Sequence, residues 1–206
     1  MSTTAAESWH LGWALALLVG TGAACAGGGD GFDGPTDVAF LGDGTPIVSD
    51  GYVNTRVAVL ARGGGVVRSL DVRGTEDGQL DLPHGLAVGP GDQIYVADRD
   101  NARVQVFSRD LVHQATWAGP TIGRPFALSV VGERVFVVDG GDQDPDRPAA
   151  RVVVLDLSGV ALGEFAGYGT ERGALSEPHD LVVDARGRVF VAELGTGRVQ
   201  RFSPAP

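Results

Sequence analysis

The feature that most limits what this chain can fold into is a fourfold internal repeat. A proline followed by an apolar run occurs four times, as GPTDVAF, LPHGLAV, RPFALSV and EPHDLVV, with the prolines at positions 35, 83, 125 and 178. Each of these runs is followed by a second apolar run that ends in an acidic residue, and then by a third that begins with an arginine. A period of about 40 to 50 residues is typical of propellers and solenoids.

Each repeat predicts about four short strands. Apolar and polar residues alternate in runs such as RVQVF and IYVAD, and turn residues separate the runs, as in DGTP and GPGDQ. A fourth run, VVRSL, QATWA or ALGEF, follows in three of the four repeats. The sequence therefore predicts an all-β propeller over residues 32–206, with four recognisable four-stranded blades at about 32–74, 75–120, 121–169 and 170–206.

One acidic residue and one arginine recur at fixed places in the predicted blades. The second run ends in Asp50, Asp98, Asp139 or Glu193, and the third opens with Arg56, Arg103, Arg151 or Arg198. A carboxylate and a guanidinium at facing ends of neighbouring strands form a charge-assisted hydrogen bond. We expect each such pair to link two strands of its blade.

Residues 1–31 are predicted to be an export signal and a linker. The stretch LGWALALLVGTGAACA, residues 11–26, is apolar but short for a membrane span, and small residues follow it. The chain is thus expected in the periplasm or outside the cell. The lone Cys25 excludes an intrachain disulfide and follows GAA, as in bacterial lipoproteins. Either Cys25 carries a lipid anchor, or the signal peptide simply contains a cysteine.

Charge restricts the classes of partner. The chain has 16 basic and 26 acidic residues and a formal net charge of −10. This charge repels phosphate backbones and anionic lipid, which argues against a nucleic-acid partner. Cations and neutral ligands remain compatible with it.

Histidine recurs at one position of the repeat. The residue after each proline is Thr36, His84, Phe126 or His179, so histidine occupies every second blade. Equivalent positions of successive blades lie on a ring about the propeller axis, and three histidines with an open fourth position form a catalytic zinc site. Two of the three are present. They are candidate metal ligands, or alternatively capping residues that hydrogen-bond to loops between blades.

The other two histidines are not expected to be ligands. His10 lies in the predicted signal, and no proline precedes it. His113 lies on a predicted outer strand, far from the axis.

The repeats resemble the NHL family of β-propellers, whose members commonly close with six blades. Four blades predict a four-bladed ring, an open arc or a ring completed by a second copy, and open sheet edges would favour self-association. The segments VSDGYVNTRV, LPHGLAV, YVADRDNARVQVF, GDQDP and EPHDLVV, in this order, resemble peptidyl-α-hydroxyglycine α-amidating lyase. That family releases glyoxylate from a hydroxyglycine-extended peptide and leaves a peptide amide.

The resemblance implies roles for five residues. His84 and His179 match two of the family's three zinc histidines, Tyr52 matches its catalytic tyrosine and Arg99 an active-site arginine. Asp180 matches an aspartate that helps to bind a structural calcium, which prefers oxygen ligands. In this chemistry a metal-bound hydroxyl loses its proton to a tyrosinate stabilised by arginine.

Departures from the family leave a second function open. The first metal histidine and another active-site arginine belong to blades that have no counterpart here, and Val53 and Glu177 differ from the family pattern. Tyr52 could instead be a rim aromatic, and Arg99 could pair with Asp98 or Asp100. The alternative function is a non-catalytic propeller that binds a peptide or protein on its loop face. A lactonase or quinone-dependent propeller would need a carboxylate cluster or a cofactor pocket that the sequence does not suggest.

Overall fold

The computed structural model describes residues 31–141 and 149–203, and its regular structure is almost entirely β. One short 3-10 helix, Pro90–Asp92, precedes β6. The strands in chain order are β1 (Asp37–Phe40), β2 (Pro46–Asp50), β3 (Arg56–Leu60), β4 (Val66–Leu70), β5 (Pro83–Val88), β6 (Ile94–Asp98), β7 (Arg103–Phe107), β8 (His113–Ala118), β9 (Pro125–Val131), β10 (Arg134–Asp139), β11 (Arg151–Asp156), β12 (Ala161–Phe165), β13 (Pro178–Val183), β14 (Val189–Glu193) and β15 (Arg198–Phe202).

The strands form four antiparallel sheets, which are the four blades of a β-propeller. Strands β1–β4, β5–β8 and β9–β12 make three four-stranded blades, and each pairs its strands in chain order. Within the described residues the fourth blade has three strands, β13–β15. The innermost strands pack in sequence, β1 on β5, β5 on β9 and β9 on β13. The predicted fold is confirmed, as is the additional outer strand in three of the four repeats.

Apolar side chains from facing blades form the cores between them. The first and second blades share one cluster, the second and third share another, and the third and fourth share the last. On the fourth blade, strand alternation directs Leu181 and Val191 toward the third blade. Val182 and Val199 lie on the opposite face and are 57% and 50% exposed.

The recurrent acidic residue and arginine pair in every blade, as the sequence predicts. The distances from the guanidinium Nε to the carboxylate are 3.1, 2.6, 3.1 and 2.8 Å in the successive blades. In the second blade, Asp98 is fully buried and Arg103 is nearly so. The Arg103 guanidinium also donates to three backbone carbonyls of the preceding loop. In the second blade, this pair therefore also binds the loop that leads into the blade.

His113 lies on the outer strand β8, where its Nε2 is 2.8 Å from Thr116 Oγ1. This position agrees with the expectation that it does not belong to an axial site. The predicted export segment, Cys25 and His10 lie outside the described residues. No helix in the described part of the chain has the length and apolar character needed to cross a membrane.

Candidate functional site

The two repeat-position histidines meet at the propeller axis. His84 is the second residue of β5 and His179 the second residue of β13, so each enters the centre at the start of an innermost strand. Their ring centroids are 4.7 Å apart, although 95 positions separate them in the chain. His84 is 3% exposed, and His179 is partly exposed. The structure thus brings the predicted pair together.

Neighbouring blades hold His84 in one orientation. The Ser49 hydroxyl of the first blade donates to the His84 carbonyl oxygen at 2.7 Å. On the other side, His84 Nδ1 lies 2.7 Å from the carbonyl oxygen of Phe126 in the third blade. A carbonyl only accepts, so Nδ1 carries the proton and the neutral ring presents an unprotonated Nε2 to the site. Metal-binding histidines commonly have this arrangement.

Burial keeps both imidazoles neutral near pH 7. Removal of water, together with the smaller effect of the neighbouring His179, lowers the pKa of His84 to about 4. Burial also lowers the pKa of His179, against the opposing effect of Asp180. A metal ion binds the neutral form of imidazole, so these environments favour ligation.

Tyr52 connects the two histidines. It lies two residues after β2, and its hydroxyl oxygen is 3.0 Å from His84 Nε2 and 3.3 Å from His179 Nε2. Gly51 allows this approach, since a Cβ at that position would lie 2.0 Å from the carbonyl oxygen of Pro83. The Tyr52 side chain is 50% exposed, so one face of the site is open to a ligand.

Arg99 approaches the site from the second blade, one residue after β6. Its Cζ atom lies 4.2 Å from the ring centroid of Phe126, a cation–π contact. Its Nε is buried without a hydrogen bond among the described residues, and it lies 3.9 Å from Asp100 Oδ1. The positive charge of Arg99 lowers the pKa of both histidines. Asp98 is engaged by Arg103, so it is not the partner of Arg99.

Asp180 belongs to a second group on the axis, with Asp37. Burial, together with the smaller effect of the negative charge of Asp180, raises the pKa of Asp37 to about 7. Solvent reaches part of Asp180, but the surrounding protein displaces water from its carboxyl and so raises the pKa of that group as well. Two carboxyl groups whose ionised forms are disfavoured together create a place where a cation would be stabilised. Carboxylate oxygens are ligands of the kind that calcium prefers, and these two side chains supply two of the several that it requires.

Sequence reasoning identified most of the residues that meet here, but it missed two. Asp37 occupies the third position of PTD, as Asp180 does in PHD, and this shared position was the available signal. Phe126 was placed on the ring of equivalent positions, but its carbonyl and ring contacts could not be seen in the sequence. Among the described residues, no cluster of three His, Cys, Asp or Glu side chains could hold a metal. Within the described part of the chain, a third protein ligand beside the histidine pair would therefore be of another kind.

Comparison with known proteins identifies the repeats. The NHL repeat model matches residues 80–107 and 175–202. The chain is 32% identical over 179 residues to peptidylglycine alpha-amidating monooxygenase of Rattus norvegicus, an alignment covering 82% of this chain and 18% of that protein. It is 27% identical to peptidyl-alpha-hydroxyglycine alpha-amidating lyase 2 of Drosophila melanogaster, covering 79% of this chain and 40% of the relative. The chain thus spans less than half the length of each of these relatives.

Solved structures agree on the fold. Virginiamycin B lyase from Staphylococcus aureus superposes with a TM-score of 0.59 at 12% sequence identity, over 83% of this chain and 52% of that chain. At this identity the likeness establishes the propeller architecture alone.

Proposed function

Since the chain is an NHL-repeat β-propeller similar to amidating lyases over most of its length, we propose that it is a zinc-binding member of that group. Its reaction would be cleavage of the C–N bond of a hydroxyglycine-extended peptide, giving a peptide amide and glyoxylate. The observation that carries the proposal is the contact of the Tyr52 hydroxyl with Nε2 of both His84 and His179. Three groups from three blades converge there on one open face.

The chemistry requires one proton to move and one bond to break. The substrate hydroxyl loses its proton, the carbon–oxygen double bond of glyoxylate forms, and the electron pair of the C–N bond leaves with the amide nitrogen, which is then protonated. Zinc held by His84 and His179 would make the hydroxyl more acidic. Tyr52, as its phenolate, would accept the proton, and the contact of its oxygen with both imidazoles supports this role.

Arg99 would supply positive charge beside these groups. Its guanidinium is held against Phe126, and its Nε lacks a hydrogen bond among the described residues. A buried, unused donor favours an anionic partner, such as the carboxylate of the glycine-derived portion of the substrate. Asp180, with Asp37, would hold a calcium ion on the axis and so stabilise the centre of the propeller.

Glyoxylate release from an N-acyl-α-hydroxyglycine tests the enzyme proposal. Tyr52→Phe removes only the hydroxyl and is expected to lower kcat at least about 100-fold. The matched control is Tyr168→Phe, because Tyr168, between β12 and β13, is exposed to nearly the same extent, 51%, and is not among the rings that contact the two histidines. Retained activity in Tyr52→Phe, or in His84→Ala, would refute the mechanism. A wild-type protein that binds zinc and peptide but releases no glyoxylate would support the non-catalytic binding function instead.

We also propose that the chain is exported. The support is the apolar segment at residues 11–26 and the small residues around Cys25. A lipid on Cys25 would anchor the propeller to a membrane surface, whereas cleavage without lipidation would release it.

A further inference from the structure

The oxygen of Tyr52 lies where a third metal ligand is needed. In a tetrahedral zinc site with Zn–N bonds of about 2.0–2.1 Å, any two ligand atoms are about 3.3 Å apart. The Tyr52 oxygen is 3.0 Å from His84 Nε2 and 3.3 Å from His179 Nε2. Both distances correspond to edges of such a tetrahedron.

In the metal-free protein these two contacts form a pair of hydrogen bonds. The phenol donates its one proton to one Nε2 atom, and its oxygen accepts from the Nε2–H group of the other. His84 Nε2 is the acceptor in the metal-free protein, because its Nδ1 holds the ring proton against the Phe126 carbonyl. The three atoms come from different blades, and they meet on a face that remains open, as the half-exposed Tyr52 shows. The Tyr52 oxygen therefore contacts both of the nitrogen atoms that would hold a cation.

We propose that Tyr52 is the third protein ligand of a zinc ion held by His84 and His179. It would bind as phenolate, and its proton would pass to solvent. The inference rests on the proposed metal-binding function and changes the part that Tyr52 plays in it. The oxygen serves as a ligand in the substrate-free protein, and it becomes the base when a substrate hydroxyl takes its place.

Zinc affinity, measured by competition with a chromogenic chelator, tests the assignment on the full purified protein. Tyr52→Phe is expected to weaken zinc binding at least about 100-fold, since even the partners of metal ligands are worth 10- to 100-fold. Tyr168→Phe is the control and should bind zinc as the wild type does. Circular dichroism verifies that the variants are folded, which the exposure of both tyrosines favours.

Copper(II) gives a readout that does not depend on affinity. A phenolate ligand produces a charge-transfer band in the visible spectrum of bound copper, which a hydrogen-bonded phenol does not. The band is expected in the wild type and in Tyr168→Phe, and it should be absent from Tyr52→Phe.

The outcomes separate this inference from the function on which it rests. If Tyr52→Phe binds zinc as tightly as the wild type while His84→Ala does not, Tyr52 is not a ligand and the two-histidine site stands. If the wild type binds no zinc, both the inference and the zinc-dependent function are wrong. Weak zinc binding by Tyr52→Phe together with the loss of the copper band would establish the ligand.

Discussion

Ionisation of the Asp37 carboxyl is predicted to destabilise the folded chain, so the free energy of unfolding should depend on pH. Burial and, to a smaller extent, the charge of Asp180 raise the pKa of this carboxyl from its usual 3.8 to about 7. Between these two values the folded chain keeps a proton that the unfolded chain has lost. The free energy of unfolding therefore falls as pH rises through this range, and the contribution of Asp37 is lost above about pH 7. Asp37→Asn cannot ionise and should lack this fall.

The size of the effect follows from the pKa difference. A difference of about 3 corresponds to at most about 4 kcal/mol, at about 1.4 kcal/mol for each pH unit. His84 acts in the opposite direction, because burial lowers its pKa to about 4. Below about pH 6.5 the unfolded chain takes up a proton that folded His84 refuses, so this contribution makes stability rise with pH. The two trends offset each other in the wild type, and the informative quantity is the difference between wild type and variant.

Urea unfolding followed by the fluorescence of the buried Trp117 measures that difference. Relative to the wild type, Asp37→Asn should gain stability as pH rises from about 4 to 8, by at most about 4 kcal/mol. The Asp37 carboxylate accepts hydrogen bonds from the amides of Val38 and Leu86, and losing one of them adds an offset that does not vary with pH. Asp71→Asn, at an exposed position, is the control. A wild-type-to-variant difference that stays constant across this range would refute the argument.

Two further predictions concern the blade links and the start of the chain. Asp98→Ala leaves the buried Arg103 without its carboxylate and should lower the free energy of unfolding in urea by about 3–5 kcal/mol. Arg68→Ala removes the exposed Arg68–Asp110 pair and should lower it by less than about 1 kcal/mol. Equal losses in the two variants would contradict this ranking. Mass spectrometry of the mature protein should show the segment at residues 11–24 removed, with or without lipid on Cys25; an intact N-terminus would contradict export.

Much of the fold could be predicted because the repeat carries the information locally. In every repeat, a proline opens the innermost strand and an acidic residue ends the strand that follows it. Strand alternation then assigns faces, and the pairing of Asp98 with Arg103 follows because their strands are neighbours in the chain. The same comparison of repeats places His84 and His179 at equivalent positions around one axis.

The axial contacts could not be predicted in the same way. Tyr52 precedes the histidine repeat position by 32 residues in one case and 127 in the other, and its hydroxyl reaches both rings only because Gly51 lets the loop press against Pro83. The electrostatic interaction of Asp37 with Asp180 depends on how the successive blades place the first and fourth innermost strands about the centre. The sequence assigned Asp180 to a metal by resemblance alone, and that assignment stays a prediction.

The sequence by itself therefore determined a propeller of repeated blades, the ion pair that closes each blade, and the positions from which two histidines face the axis. These follow from the period of the repeat and from contacts between neighbouring strands. Only the tertiary structure decided that Tyr52 bridges the histidines, that a backbone carbonyl of Phe126 orients His84, and that two carboxyl groups share the axis. The physical reason is that these groups come from different blades, so their distances depend on how whole blades pack and not on the spacing of residues along any one of them.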